Sequence, residues 1–210
     1  MVYPKHQPAG SSSNTSIVLL PDGEWARYLV HALRAARQSV KLSTFLASHR
    51  WASAPKSGIN LLNELQDVAS RGIQCRAILA QVNTRLTPDT PNVGAVKKLQ
   101  EAQWLVRMAR GRLLHEKVII IDKSLVLVGS HNISGNSVYR NNEMSVAIRD
   151  PMIADQATQV WWSRWNAAIN ANQAIEDIVT YGTRKSARTT ARTGGDVLKT
   201  AGLSKPRRIK

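Results

Sequence analysis

Two short aliphatic runs, Val118–Ile121 (VIII) and Leu125–Val128 (LVLV), are separated only by Asp122-Lys123-Ser124. Neither run alternates with polar residues, so both fit central strands buried on both faces better than alternating edge strands. The three polar residues between them form a natural turn. Such a hairpin belongs in the interior of a sheet, with a packed layer over each face.

The flanking sequence supplies the layers. Ile17–Leu20 reads as a strand, and Pro21-Asp22-Gly23 turns it into a helix with Trp25, Leu29, Leu33 and Ala36 at helical spacing. Ser39–Leu46 is a second strand. Leu61, Leu62, Leu65, Val68 and Ala69 mark a helix that stops at Gly72. Ile73–Val82 and Trp104–Met108 read as strands, with a loop over Asn83–Asn92 and a helix over Val93–Gln103. After the hairpin come a strand at Met144–Ile148 and a long helix from Pro151 through Ala171, whose expected buried stripe is Val160, Trp161 and Trp165. Strand and helix alternate, so the fold class is α/β: a mixed, mostly buried β-sheet flanked by helices on both faces. The expected domain covers residues 17–172. Residues 1–16, rich in Pro, Gly and Ser, read as a flexible arm, and residues 173–210 as a basic C-terminal helix and tail.

Charge narrows the partner. The chain of 210 residues has a net charge of +15 and a pI near 10.6. From Gly182 to Lys210 there are nine Lys or Arg and one acid, Asp196, so this stretch holds about half of the excess. Such a surface attracts polyanions, nucleic acid first and anionic lipid second. No apolar run approaches the ~18 residues of a membrane span, and the first sixteen residues contain no apolar core of a secretory signal. A cytoplasmic protein is the expectation. The one cysteine, Cys75, lies in an apolar run and reads as a small core residue.

Polar groups gather at the open end of the hairpin. His115 and Lys117 precede the first strand, and Ser130 and Asn132 follow the second. With opposed residues summing to about 247, His115 faces Asn132 and Lys117 faces Ser130. Residues two apart share a strand face, so the four groups converge, while His131 turns away. Taken singly, each of these residues is unremarkable at a strand end. Together they are costly to bury without a purpose. Lys, Ser and Asn can donate to phosphodiester oxygens, and an imidazole beside them can attack phosphorus or carry a proton. Glu143, after Asn141-Asn142, is placed to orient that imidazole. Asp122 falls on the opposite face or in the turn, which suggests a structural role.

At these residues the chain resembles the phospholipase D superfamily. The H-x-K-x4-D signature reads His115, Lys117, Asp122. G-S-x-N reads Gly129, Ser130, Asn132, with Ser134 also matching, and N-x-E reads Asn141, Glu143. The resemblance implies that fold and a metal-free, cofactor-free phosphodiesterase. His115 would form a phosphohistidine, Lys117 and Asn132 would hold phosphate oxygens with Ser130 supporting them, and Glu143 would fix the imidazole tautomer. Members use two such motifs and this chain has one. A homodimer that joins two copies of the site is therefore expected. The small single-motif members that look most like this chain are nucleases.

An endonuclease acting on DNA or RNA is the first reading. Lipid phosphodiesterase or phosphatidyl transfer is the alternative, and a catalytically inactive nucleic-acid-binding module is a third. His49, Arg50, Trp51, Arg85 and Arg140 are the candidate substrate contacts outside the motifs.

Overall fold

A computed structural model of the chain describes residues 15–49, 58–81, 91–177 and 180. The elements run β1 (Ser16–Pro21), α1 (Asp22–Ala35), β2 (Ser39–Thr44), α2 (Leu61–Ser70), β3 (Gln74–Ala80), α3 (Pro91–Glu101) and β4 (Leu105–Ala109). They continue as β5 (Lys117–Ile121), β6 (Leu125–Gly129), α4 (Gly135–Tyr139), β7 (Met144–Arg149), α5 (Pro151–Ala167) and β8 (Ile169–Asn170). Helix resumes over residues 171–177.

All eight strands form one mixed sheet in the order β1-β7-β6-β5-β2-β3-β4-β8. The pairs β2–β3 and β3–β4 are parallel, each joined through a crossover helix, and the other pairs are antiparallel. The hairpin β5–β6 lies inside the sheet, as its aliphatic runs require. Ile119, Ile121, Leu125 and Leu127 pack on one side with Leu29, Leu33, Leu61, Leu65 and Leu99 of α1, α2 and α3. Ile120 and Val126 pack on the other side with Ala154, Trp161 and Trp165 of α5. Helices thus lie on both faces and the fold class is α/β as expected, but the second aliphatic run is not buried throughout, since Val128 at the end of β6 is exposed. Cys75 is buried in β3, and burial pushes its thiol up to about 12 against the pull of Arg71 and Arg76.

Several boundaries and positions differ from the sequence reading. Helix α3 begins at Pro91, so Asn92 is not in a loop. Pro suits a first helical turn, and the Asn92 side chain is buried, where it accepts from Ala47 N and donates to the carbonyls of Phe45 and Ala80. Helix α5 ends at Ala167, because Ile169 and Asn170 pair with Met108 and Arg107 of β4. Val160 is 39% exposed. The buried stripe of α5 runs through Ala154, Trp161 and Trp165, and Val160 stands about 100° round the helix from Trp161. Strand β1 begins at Ser16, and Thr15 Oγ1 donates to Asp150 Oδ2; residues 1–14 of the expected arm lie outside the described residues. At the other end, Ala174 is buried in the main core.

The hairpin register also differs. Val118 pairs with Val128 and Ile121 with Leu125, so opposed residues sum to 246, not 247. The turn takes all three residues Asp122-Lys123-Ser124, with Asp122 and Lys123 at φ 51° and 54°. A shift of one moves each side chain to the other face. Pairing alone would therefore put Ser130 on the face away from Lys117.

Candidate active site

The site lies where β2, β3 and β4 end and where β5 and β7 begin. Lys117 is the first residue of β5. Its Nζ donates to the His115 carbonyl at 2.7 Å and lies 3.2 Å from His115 Nδ1 and 3.4 Å from Nε2. Phe45, just past β2, stands beside both: its ring centroid is 5.0 Å from the His115 ring and 5.6 Å from Lys117 Nζ. His115 is exposed and Lys117 half-buried. Partial burial lowers the pKa of the Lys117 ammonium, and the Glu143 carboxylate partly offsets this.

A second group forms around Glu143. Ser130 Oγ and Asn141 Nδ2 donate to its carboxylate, Asn141 at 3.0 Å. Ser137 Oγ donates to it at 2.8 Å and accepts from Asn132 N at 2.9 Å. Burial works to raise the pKa of Glu143, but the donors Ser130, Asn141 and Ser137 outweigh it and hold the carboxyl below its ordinary value. The Asn132 side chain faces β2, where its Oδ1 accepts from Leu46 N at 3.1 Å. Since Leu46 follows Phe45, this bond ties the second group to the first.

The loop after β6, rather than strand pairing, makes this arrangement. The ladder stops at Gly129, which pairs with Ser145. A Cβ added at Gly129 would lie 2.2 Å from Ser145 Oγ and 2.5 Å from the Met144 carbonyl, so only glycine lets β7 come this close. Ser130 then donates its N–H to Met144 O at 3.1 Å and accepts from Met144 N on its hydroxyl at 3.0 Å. Ser134 caps α4 by accepting from Ser137 N, and α4 carries Ser137 back toward Glu143.

Other candidates fall elsewhere. Asp122 is at the opposite end of β5, where its carboxylate accepts from the backbone amides of Arg37, Gln38 and Ser39 at 2.7–2.9 Å. Glu116 faces α5, with Oε2 3.6 Å from Arg164 Nε. His49 packs on Gly94 of α3, where an added Cβ would lie 2.2 Å from its Nδ1. Arg140 is exposed at the end of α4, next to Asn141. Arg50, Trp51 and Arg85 lie outside the described residues. The imidazole of His115 meets Lys117 and Phe45, while the carboxylate expected to orient it is held by Ser130, Ser137 and Asn141. Sequence reasoning missed Phe45, Asn92 and Ser137. Ser137 could have been found by its place three residues after a capping serine. Phe45 and Asn92 act through tertiary contacts and left no local signal.

Among the described residues, no group of three or more His, Cys, Asp or Glu is placed to hold a metal ion. No helix among them is long and apolar enough to cross a membrane.

Comparison with known proteins bears on this geometry. Residues 29–165 match the family model described as "Cardiolipin synthase, PLD-like domain". A protein named "Phospholipase D" from Rickettsia bellii is 28% identical over 155 residues, covering 73% of this chain and 70% of that protein. Among solved structures, Nuc from Salmonella typhimurium, a phospholipase D family member, superposes with a TM-score of 0.64 at 20% identity, covering 75% of this chain and 98% of that one. NucT from Helicobacter pylori gives a TM-score of 0.58 at 21% identity, over 75% and 99%.

Proposed function

The chain belongs to the phospholipase D superfamily of phosphodiester-acting enzymes, and on that premise we propose that it is a metal-independent endonuclease whose site is shared by two copies of the chain. His115 is the nucleophile. Its ring nitrogen bonds to phosphorus as the bond from phosphorus to the leaving oxygen breaks, and that oxygen takes a proton from His115 of the second copy. Water then gives its proton to the second imidazole and attacks phosphorus, and the N–P bond breaks. Lys117 and Asn132 hold the phosphoryl oxygens and Ser130 supports them. Glu143, braced by Ser130, Ser137 and Asn141, holds the attacking imidazole in its reactive tautomer once the site is assembled.

The surface beside the site supports a second copy. Among the described residues, nothing covers the α5 face of the sheet over β1, β7 and the end of β6, where Ile17, Leu19, Val128 and Met144 are 66%, 56%, 36% and 56% exposed. Pairing aligns Leu19 with Val146 and Val146 with Val128, so these residues form continuous rows. The rows end at Ser130 and Glu143. A contiguous apolar face that borders a half-complete site suits self-association across a two-fold axis.

The observation that carries nucleic acid over lipid is the charge of +15. A cationic surface gains affinity from each phosphate it neutralises. Lipid chemistry is the second reading, favoured by the names of the matching family and of the Rickettsia relative.

The test incubates wild type and His115→Asn with DNA and RNA panels and with anionic phospholipid vesicles, all in EDTA. The proposal expects EDTA-resistant cleavage of nucleic acid by wild type alone. Cleavage of lipid with intact DNA and RNA would replace it by the lipid reading. Binding to nucleic acid without cleavage in any buffer would support the inactive binding module.

A further inference from the structure

The reaction outlined above leaves one histidine in the G-S-x-N stretch unused. His131 lies between Ser130 and Asn132 and is 1% exposed. Its ring stacks on Trp25 of α1, with centroids 4.6 Å apart and planes 11° from parallel. Nε2 lies 2.9 Å from the Asp22 carbonyl oxygen, and Nδ1 lies 2.7 Å from Ser145 Oγ. A carbonyl only accepts, so Nε2 carries the proton. Nδ1 then accepts from the Ser145 hydroxyl. Burial lowers the pKa of the ring, against the partial offset of Asp22 and Glu143, so this neutral form is the one present at neutral pH.

The two partners of the ring lead to the site. Asp22 Oδ1 accepts from Glu143 N at 2.9 Å, and Asp22 N donates to Glu143 O at 3.0 Å. Ser145 Oγ fills the space that the bare Cα of Gly129 leaves open. His131 also borders a cavity of about 10 Å³, room for one water, that reaches Lys117. The imidazole therefore touches the start of α1, the start of β7 and the loop that carries Ser130 and Asn132. Volume alone does not require a histidine here, since a phenylalanine would stack on Trp25 as well. What only a polar ring supplies is one donor and one acceptor in opposite directions.

We propose that His131 is a positioning residue of the phosphodiesterase site, a neutral lock that fixes the Ser130–Asn132 loop and Glu143 against the first turn of α1. The lock rests on the phosphodiesterase reading, and its consequence for catalysis follows from geometry. A loop displaced by about 1 Å costs about 100-fold in rate, with little effect on substrate held elsewhere.

The experiment compares His131→Phe with His131→Gln on bis(p-nitrophenyl) phosphate, a diester that needs neither a nucleic-acid groove nor a lipid surface. His131→Phe keeps the stack and loses both hydrogen bonds. It should lower kcat by about 100-fold and leave KM within about threefold. His131→Gln can still donate to Asp22 O and should recover most of kcat. An NMR titration of the Glu143 carboxyl gives a second readout: its midpoint should rise in His131→Phe and stay low in His131→Gln. Wild-type kcat together with an unmoved Glu143 midpoint in His131→Phe would overturn the lock. So would equal losses in the Phe and Gln variants. If wild type itself leaves the diester intact, the phosphodiesterase reading fails, and the Glu143 titration still decides the lock. Should His131→Phe not fold, Ser145→Ala takes its place: a kcat loss at constant KM is expected, and wild-type kcat would overturn the proposal.

Discussion

The hydroxyl of Ser137 sits between Asn132 and Glu143, accepting from the Asn132 amide at 2.9 Å and donating to the Glu143 carboxylate at 2.8 Å. One buried serine thus sets both the backbone of one site residue and the side chain of another. Replacing it by alanine orphans the Asn132 N–H and removes a donor to Glu143. We expect Ser137→Ala to lose about 1–3 kcal/mol of stability and to cleave about tenfold more slowly. Chemical denaturation and single-turnover cleavage check the two numbers separately.

Asp122 belongs to the same signature as His115 and Lys117, yet it works at the far end of β5. Its carboxylate binds three backbone amides in the link from α1 to β2. Asp122→Ala leaves those donors unmet and should cost about 2–3 kcal/mol. Cleavage per folded molecule should stay near the wild-type rate. A large rate loss in a fully folded Asp122→Ala protein would place the residue in the chemistry instead.

Glu143 gives a pH dependence with a definite sign. Its folded pKa is lowered from the ordinary value of 4.5, because three donors outweigh the burial that would raise it. A depressed acid stabilises the fold above its unfolded pKa, and that contribution is lost as pH falls through the folded value. The stability difference between wild type and Glu143→Gln should therefore be constant near neutrality and shrink below about pH 4.5. Thermal melts of both proteins across that range test it. A difference that grows on acidification has the wrong sign.

The uncovered apolar rows predict the effect of a charge at their centre. Leu19→Lys changes a residue that is 56% exposed, so the fold itself should lose less than about 1 kcal/mol. If two copies meet on this face, light scattering should show the variant as monomer, with cleavage lost although His115 and Lys117 are intact. A dimeric, active Leu19→Lys protein would exclude this face from the assembly.

The C-terminal stretch from Gly182 to Lys210 carries nine basic residues. Removing it should weaken binding to nucleic acid and flatten the dependence of log affinity on log salt. The single-turnover rate at saturation should change little. Unchanged affinity at low salt would show that the tail does not touch the polyanion.

The sequence by itself determined the layered α/β fold, because short aliphatic runs bounded by turn residues suit central strands and amphipathic helices must lay their apolar faces over them. The chemical types at the open end of β5 and β6 were legible for the same reason: His115, Lys117, Ser130 and Asn132 interrupt an otherwise apolar hairpin. What tertiary structure decided is how those groups meet. One residue of turn geometry moved the hairpin register from 247 to 246, and no local pattern separates the two. Convergence then depends on Gly129 ending the ladder against Ser145, on α4 returning Ser137 to Glu143, and on Phe45 and Leu46 arriving from β2. These contacts join residues far apart in the chain, and their energies arise only when the sheet closes. Periodicity and spacing report which face a residue takes on its own element. They carry no information about which distant backbone N–H a side chain will meet.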